Sequence, residues 1–293
     1  MAMRPEFILL CGIAGAGKST FARNLADLRG YEICSSDAIR GELWGDESDQ
    51  REPNKVFSVM LQRTRAALSQ GRSIIYDATN IEEKYRLQIL QQISTFNCHK
   101  TCVVIIERPE VCVARQDLRD RKVPEHVIWR QIRKFQTPHY CEGWDKIIII
   151  NANAYNNEEN EVEIEKIHNF DQKNPHHSLT LDVHMAMACA HAVKQGYGEI
   201  VANAALLHDF GKIYTQIFDK GVAHYYNHEN VSAYFYFLLT CGTSRDAIET
   251  SWLIAHHMDF FKGERYMKKL KARVPGKLYT ALEQLHDCDL EAH

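Results

Sequence analysis

The chain lacks most features that mark a membrane or disulfide-stabilised protein. No apolar run reaches spanning length, and we expect no signal peptide because the N-terminal apolar run, Phe7–Cys11, is short. The nine cysteines form no C-x-x-C pair, which argues against the common zinc-ribbon and thioredoxin-like patterns. We therefore expect a cytoplasmic protein with reduced thiols and no membrane partner.

A strong excess of one charge is also absent, since the formal net charge is −3. Residues 1–150 carry 22 Lys and Arg against 19 Asp and Glu, whereas residues 151–293 carry 13 against 19. The first half therefore allows a polyanion to approach without requiring one. Only 3 of the 15 histidines lie in the first half, so we expect metal ligands mainly in the second.

Apolar strands alternate with helical stretches through the first half of the chain. The candidate strands are Phe7–Cys11, Tyr31–Cys34, Ser73–Tyr76, Thr101–Ile106 and Lys146–Ile150. This alternation predicts an α/β domain over residues 1–155, with a parallel sheet and helices on both faces. Residues 156–175 are polar and are interpreted as a linker. Helical patterning without β-like alternation then predicts an all-α domain over residues 176–293.

The segment Gly12-Ile-Ala-Gly-Ala-Gly-Lys-Ser-Thr20 has the spacing of a phosphate-binding P-loop and lies between a predicted strand and a predicted helix. Small residues let backbone N–H groups surround phosphate oxygens, and the N-terminus of the helix favours negative charge. Lys18 would reach the phosphates and Ser19 would ligate Mg²⁺, so ATP and Mg²⁺ are the expected cofactors. The expected nucleotide-binding residues are Gly12, Gly15, Ala16, Gly17, Lys18, Ser19 and Thr20.

Two further groups suggest an acceptor site and a lid. Asp37 follows the second strand and could accept the proton of an attacking hydroxyl, while Arg40 could hold an anionic part of the acceptor. A helix cap with a solvated arginine is the alternative. The basic segment Arg115–Pro124 predicts either a lid that neutralises the triphosphate or a solvated helix face.

Together these motifs resemble the 5′-hydroxyl polynucleotide kinases over roughly residues 5–150. The resemblance rests on the P-loop, on Ser36-Asp37 with Arg40, on Ile75–Asn80, and on the arginine segment that runs into Val123-Pro124. It implies that Asp37 is the general base for a 5′-hydroxyl group and that Arg40 binds the neighbouring backbone phosphate.

The same resemblance assigns the lid and the acceptor side. It implies that Arg119 is the lid arginine that binds the nucleotide, with Arg121 as the alternative, and that Asp77 and Asn80 line the acceptor side. One position departs from the pattern, because Ser36 stands where the phage members of the family have an arginine.

A second set of motifs occupies the C-terminal half. His-Asp at 208–209 follows an apolar helical stretch, and a His-Asp pair with an upstream histidine can ligate a divalent metal that activates water. Taken alone, the pair could equally cap a helix. The full set contains His184, His208-Asp209, Gly211-Lys212, Tyr226-Asn-His-Glu229, Ala255-His-His-Met258 and Asp287-Cys-Asp289-Leu-Glu-Ala292.

This set resembles the HD phosphohydrolase superfamily over roughly residues 170–293, which implies an all-helical domain that hydrolyses phosphate esters. His228 and His257 would complete a second metal site or contact phosphate, and Lys212 would lie near the scissile phosphate. Asp289 is preferred to Asp287, and His257 to His256. Mixed His/Asp ligands suit Mn²⁺, Fe²⁺, Co²⁺, Ni²⁺ or Zn²⁺. The implied ligands of one metal are His184, His208, Asp209 and Asp289.

The two motif sets suggest a bifunctional enzyme that heals nucleic-acid ends. It would phosphorylate 5′-hydroxyl ends with ATP and hydrolyse 3′-phosphate or 2′,3′-cyclic phosphate ends of RNA or DNA, which links it functionally to a ligase. A small-molecule P-loop kinase fused to an HD nucleotidase is one alternative, kept open by the modest charge. An ATP-gated switch is another, and the oligomeric state is open.

Overall fold

The computed structural model describes residues 4–118, 122–151, 157–175 and 178–292, and it divides into two compact units. The first unit comprises Met1–Gln131 and Glu142–Ala152. The second comprises Ile132–Cys141 and Asn153–His293.

The first unit is built on a parallel sheet of five strands in the order β2-β3-β1-β4-β5. In chain order the strands are β1 (Glu6–Cys11), β2 (Glu32–Ser35), β3 (Ile74–Asp77), β4 (His99–Ile106) and β5 (Lys146–Asn151). The flanking helices are α1 (Lys18–Arg29), α2 (Ser36–Trp44), α3 (Pro53–Ser69), α4 (Glu83–Gln92), α5 (Pro109–Asp117) and α6 (Glu125–Ile132). The predicted α/β fold with a parallel sheet is confirmed.

The central strand explains why the first site forms where it does. Phe7–Cys11 is at most 4% exposed, as expected for a strand of a parallel sheet that is covered on both faces. β1 pairs with β3 and β4, and β2 pairs with β3 with Ser35 opposite Asp77. The residues that follow β1, β2 and β3 therefore meet at one edge of the sheet, where parallel α/β folds bind ligands.

The second unit is mainly helical. Its helices are α7 (Asn157–Glu165), α8 (Leu181–Gln195), α9 (Glu199–Leu207), α10 (Lys212–Thr215), α11 (His228–Thr240), α12 (Arg245–His256), α13 (Glu264–Arg273) and α14 (Gly276–Glu291), with a 3₁₀ helix over His257–Lys262. α11 forms the centre, because Val231, Tyr234, Phe235 and Phe237 are at most 1% exposed. A helix that is apolar on most sides is stable only when neighbouring elements surround it.

The helical unit also contains one element that its sequence pattern did not predict. Strands β6 (Gln216–Asp219) and β7 (Val222–Tyr225) pair as an antiparallel hairpin. Its two turn residues, Lys220 and Gly221, have φ of 49° and 83°, the left-handed values that tight hairpin turns require. Lysine is a weak signal for such a turn, so the hairpin was missed in an expected all-α domain.

The division of the chain differs from the expected boundaries in two places. Ile132–Cys141 belongs to the helical unit, since the Phe135 ring packs edge-to-face on Tyr234 at 5.2 Å and Thr137 Oγ1 lies 2.7 Å from Ser251 Oγ. The expected linker, residues 156–175, contains α7. Among the described residues, no helix is both long enough and apolar enough to cross a bilayer.

Candidate functional site

The loop between β1 and α1 has the backbone shape that its glycines permit. Gly15 and Gly17 have φ of 86° and 101°, in the left-handed region that favours glycine. A Cβ atom at Gly15 would lie 2.7 Å from the Cys112 carbonyl oxygen, and one at Gly12 would lie 2.6 Å from the Ile105 carbonyl oxygen. Side chains at these positions would therefore displace the loop from the sheet edge.

Lys18 and Ser19 begin α1 at the end of this loop, followed by the exposed Thr20. Lys18 Nζ donates to the Ile13 carbonyl oxygen at 2.7 Å, so the ammonium group lies over the loop. Burial lowers the pKa of Lys18, and the nearby Asp77 carboxylate partly offsets that effect. A buried cation beside a glycine-rich loop at a helix N-terminus is suited to bind the phosphates of a nucleotide.

Asp77 lies at the end of β3 and contacts the nucleotide side of this site. Its Oδ2 accepts a hydrogen bond from Ser19 Oγ at 2.9 Å, and burial raises the pKa of the Asp77 carboxyl while Lys18 lowers it. A carboxylate beside a serine hydroxyl offers the oxygen donors that Mg²⁺ prefers. The acceptor-lining role that the resemblance implies for Asp77 stays a prediction.

Asn80 bonds to the backbone next to the P-loop, and its expected contact with the acceptor stays a prediction. Its Nδ2 donates to the Leu10 carbonyl oxygen at 2.7 Å and to the Ala78 carbonyl oxygen at 3.3 Å, and its φ is 48°. In the same segment, the Thr79 carbonyl oxygen accepts a hydrogen bond from the Gly12 N–H at 3.0 Å. These bonds fasten the segment after β3 to the start of the P-loop.

Asp37 and Arg40 lie in the first two turns of α2, next to Asp77 across the sheet edge. Arg40 is buried, with 7% exposure, and its Nη1 donates to Asp37 Oδ1 at 2.7 Å, whereas the Asp37 side chain is half exposed. Ser35, not Asp37, caps the helix, because its side chain accepts from the Ala38 N–H. Asp37 is close enough that its charge affects the pKa of both Lys18 and Asp77.

A further arginine reaches the P-loop. Arg115 Nη1 donates to the Gly15 carbonyl oxygen at 3.0 Å, and its Nη2 lies 2.7 Å from Oε2 of the buried Glu107. The sequence placed Arg115 in the basic segment but did not single it out, although the density of arginines there was the available signal. The expected lid arginine Arg119 and its alternative Arg121 lie outside the described residues.

The second unit brings the expected metal ligands together in one cluster, which we call the His/Asp cluster. The side chains come from α8, from the turn after α9, from α11, from the 3₁₀ helix after α12, and from α14. They form two groups that share Asp209, each with ligand atoms within 4.8 Å of one another. The cluster consists of His184, His208, Asp209, His228, His257 and Asp289.

The four histidines of the cluster are oriented alike. Each Nδ1 lies 2.7–2.8 Å from a backbone carbonyl oxygen. The Nδ1–H group therefore donates to that carbonyl, and each Nε2 faces Asp209, where it would supply a lone pair to a bound metal ion. This is the outer-shell arrangement that orients metal-ligating imidazoles. The four carbonyl acceptors belong to Ala292, Ala205, Tyr225 and Ile254.

Asp209 lies between the two groups, with one carboxylate oxygen facing each. Its Oδ2 lies 3.4 Å from His184 Nε2, and its Oδ1 lies 3.0 Å from His228 Nε2. Asp289 Oδ1 lies 3.2 Å from His184 Nε2 on the first side. A carboxylate that is shared in this way is suited to bridge two cations, and imidazole with carboxylate fits the metals expected from the sequence.

The electrostatics of the cluster favour a bound cation. Burial alone would lower the pKa of His184, but Asp209 and Asp289 raise it to about 10. Although burial opposes ionisation, Lys212 and the histidines hold the pKa of Asp209 well below its usual value. Burial also opposes ionisation of Asp289, but hydrogen bonds with His184 and His208 hold the pKa of its carboxyl group below the usual value.

The turn that carries Asp209 is held close to α11 by a glycine. A Cβ atom at Gly211 would lie 2.3 Å from the His228 carbonyl oxygen, and the Gly211 N–H donates to Ser232 Oγ at 2.8 Å. The next residue, Lys212, is 4% exposed, and its Nζ lies 2.6 Å from Asp209 Oδ2. The sequence His-Asp-Phe-Gly-Lys therefore places a carboxylate and an ammonium group side by side.

The two close alternatives among the ligands occupy different places. Asp287 accepts from Tyr197 OH at 2.8 Å and lies 3.0 Å from His191 Nε2, outside the cluster. His256 Nδ1 lies 2.6 Å from Asp259 Oδ2, also outside it. Asp289 and His257, which were preferred on resemblance, are the members of each pair that reach the cluster.

A family comparison agrees with this description of the first unit. Residues 7–138 match the family model described as "AAA domain". The match includes the P-loop, Asp37, Arg40 and Arg115. The first unit therefore has a P-loop kinase fold, a class that uses ATP and Mg²⁺.

Several solved structures are similar to about half of the chain. A "putative kinase" from Chloroflexus aurantiacus shows 17% identity and a TM-score of 0.43, with 51% of this chain and 89% of that chain covered. A chain of the Pnkp1/Rnl/Hen1 RNA repair complex shows 20% identity and a TM-score of 0.42, with 46% and 45% covered. A gluconokinase from Sinorhizobium meliloti shows 16% identity and a TM-score of 0.38, with 51% and 84% covered.

Proposed function

We propose that this chain is a bifunctional enzyme that repairs nucleic-acid ends, with a 5′-hydroxyl kinase in the first unit and a metal-dependent phosphohydrolase of the HD type in the second. The observation that carries the proposal is the presence in one chain of two separate sets of phosphate-directed groups. One is the P-loop with Lys18, Ser19 and Asp77, and the other is the His/Asp cluster with Lys212.

The positions of four side chains support the proposed kinase reaction. Lys18 and the P-loop amides would hold the β- and γ-phosphates of ATP, while Ser19 and Asp77 would supply oxygen ligands for Mg²⁺. Asp37 would accept the proton of the attacking hydroxyl, because it is half exposed and lies beside the site. The transferred phosphoryl group passes from ATP to the hydroxyl oxygen, with ADP as the leaving group.

Arg40 would bind the phosphate next to the attacking hydroxyl. It is buried and already bonded to Asp37 through Nη1, and its Nε has no hydrogen-bond partner among the described residues. A buried guanidinium with an unused donor is suited to grip an anionic oxygen. The Asp37–Arg40 pair would then fix the acceptor phosphate and the proton acceptor in one geometry, as a polynucleotide end requires.

The second reaction is assigned to the His/Asp cluster, whose donor set fits one or two divalent metal ions. His184, His208, Asp209 and Asp289 would hold one ion, and Asp209, His228 and His257 would hold the second. Such a metal polarises a phosphate ester and lowers the pKa of a bound water. Lys212 would neutralise charge on the phosphate. Its ammonium group lies 2.6 Å from Oδ2 of the proposed metal ligand Asp209, and is therefore beside the place where the phosphate would bind.

The experiment that tests the proposal scores both ends of one oligonucleotide. Purified protein is incubated with ATP, Mg²⁺ and Mn²⁺ and with RNA or DNA that carries a 5′-hydroxyl group and a 3′-phosphate. We expect a 5′-phosphate and a 3′-hydroxyl group as products. Failure to phosphorylate the 5′ end of any oligonucleotide would contradict the kinase assignment.

A metabolic role is the second candidate, favoured by one observation. Lys212 is the only Lys or Arg that lines the described cavity beside the His/Asp cluster, whereas long polynucleotides are usually held by several cations. The same assay with free nucleosides, sugars and mononucleotides separates the two candidates. Faster phosphorylation of a small acceptor than of an oligonucleotide would favour the metabolic role.

A further inference from the structure

A cavity of about 450 Å³ opens directly from the His/Asp cluster in the second unit. Asp209, His228, Asp289 and Lys212 form its polar floor. The rest of its lining includes His224 and Tyr225 at the end of the hairpin, Tyr226 directly after it, and Met258 and Phe261 of the 3₁₀ helix, which also carries His257 of the cluster. The cavity is large enough for a nucleotide-sized ligand whose phosphate lies on the floor.

The walls of the cavity are unusually aromatic for an exposed surface. The His224 and Tyr226 rings lie with centroids 5.9 Å apart and planes within 5°, so they present parallel faces. Tyr226 is 62% exposed, and Phe261, which also lines the cavity, is 65% exposed. Met258, with its polarizable thioether, lies nearby in the lining. Exposed aromatic rings beside a cavity are the surfaces on which proteins stack nucleobases.

The charges of the lining residues indicate which parts of a ligand the cavity can bind. Among the described residues that line it, Lys212 carries the one ammonium group, which is buried and lies against Asp209. The side chains of Tyr226, Met258 and Phe261 in its lining carry no formal charge. One phosphate therefore fits on the floor, while the walls are suited to a planar, uncharged group attached within one sugar of that phosphate.

We propose that this cavity is a nucleobase subsite, in which the base of the nucleotide that carries the scissile phosphate stacks on Tyr226 and is covered by Phe261. The inference rests on the proposed phosphohydrolase and makes it selective for nucleotides. Its substrates are phosphomonoesters with a base on the same sugar, either a mononucleotide or the last nucleotide of a strand. Phosphate esters that lack a base gain nothing from the aromatic walls.

The test compares three substrates in the full-length protein with Mn²⁺. They are uridine 3′-monophosphate, an RNA oligonucleotide with a 3′-phosphate, and glycerol 2-phosphate, which has no base. We expect kcat/KM to be higher for both nucleotide substrates than for glycerol 2-phosphate. The ratio between the first two then shows whether the subsite serves free mononucleotides or strand ends.

Substitution of the aromatic residues that line the cavity makes the test more specific. Tyr226→Ala and Phe261→Ala should each raise KM for the nucleotide substrates by about 5- to 100-fold, with kcat changed far less, because a base stack contributes about 1–3 kcal/mol. Tyr226→Phe should retain the wild-type KM. Phe218→Ala is the matched control, since Phe218 is an aromatic residue of the same hairpin that is 59% exposed and does not line the cavity.

A direct binding measurement keeps the inference separate from catalysis. The Kd of uridine 3′-monophosphate is measured by calorimetry for wild type, Tyr226→Ala and Phe218→Ala, and only the first substitution should weaken binding. Equal Kd values in all three proteins would overturn the subsite, as would equal kcat/KM for the nucleotide and glycerol 2-phosphate. If the wild-type protein hydrolyses none of the substrates but binds uridine 3′-monophosphate in a way that depends on Tyr226, the result would count against the phosphohydrolase and not against the subsite.

Discussion

The P-loop of the first unit takes its phosphate-binding groups from one continuous segment, Gly12–Thr20, whereas the His/Asp cluster draws its side chains from His184 through to Asp289. The first site is made mainly of backbone amides, whose positions depend on the glycine conformations of a single loop. The second is made of side chains, whose positions depend on the packing of five separate elements. A backbone site tolerates change outside its loop, but a side-chain site depends on the whole unit.

The comparison also extends to charge. The first site places a buried lysine near two carboxylates, Asp77 and Asp37, and beside a glycine-rich loop that is suited to a phosphate group. The second surrounds buried carboxylates with imidazoles and so favours a cation. The two units therefore suit opposite ligands, a polyanion in the first and divalent metal ions in the second.

Removal of divalent transition metal should have the largest effect and should act on one unit only. Chelation that spares Mg²⁺ should abolish hydrolysis of the 3′-phosphate and leave phosphorylation of the 5′ end intact. Restoring Mn²⁺ at about 100 times its Kd should stabilise the second unit by about 2.7 kcal/mol, seen as a higher Tm. His228→Ala should reduce this rise, because it removes a ligand of one of the two groups, and an undiminished rise in that variant would contradict the ligand assignment.

The pair Asp289 and Asp287 tests whether position in the cluster decides function. Asp289→Asn should lower phosphatase kcat/KM by at least about 100-fold, because it removes a carboxylate that faces two histidines. Asp287→Asn is the control, since Asp287 bonds to Tyr197 and His191 outside the cluster. It should change the rate by less than about 3-fold. Comparable losses in both variants would mean that the cluster has been wrongly delimited.

Asp77 and Asn80 make the corresponding comparison in the first unit. Asp77→Asn should lower kinase kcat by about 100-fold and raise the Mg²⁺ concentration needed for half-maximal rate, because Asp77 bonds to Ser19. Asn80→Ala should mainly lower Tm, since it removes a bond to the Leu10 carbonyl oxygen. The assignment fails if Asp77→Asn changes only KM for the acceptor, as the sequence-based expectation would require.

Substitution of Arg115 should have a smaller effect than metal removal or the substitutions at Asp289 and Asp77. Arg115→Ala removes a guanidinium that contacts the Gly15 carbonyl oxygen and Glu107, and it should raise KM for ATP by about 10-fold. Arg115→Lys should recover only part of the loss, because lysine keeps the positive charge but cannot reach the Gly15 carbonyl oxygen and Glu107 with two separate nitrogens. A phosphatase assay on the same variants serves as the control and should show no change.

The sequence predicted the parts of this molecule that local patterns determine. Strand and helix alternation gave the parallel sheet, and the spacing from Gly12 to Ser19 gave the P-loop. The contacts of Asp77 and Asn80 could be told apart only from the structure. Both residues lie at the end of the same strand, and they differ in which atoms their side chains reach. The hairpin turn at Lys220-Gly221 and the placement of Phe135 against Tyr234 depend on tertiary packing and were not predictable locally.

The central claim is that two chemically independent sites act on the two ends of one strand. The most direct measurement uses an RNA oligonucleotide with a 5′-hydroxyl group and a 3′-phosphate, treated with Lys18→Ala, with Asp209→Ala, or with both variants mixed. We expect Lys18→Ala to convert only the 3′ end, Asp209→Ala to convert only the 5′ end, and the mixture to convert both. Loss of both conversions in either folded variant, or no conversion of the 5′ end by Asp209→Ala, would contradict the account.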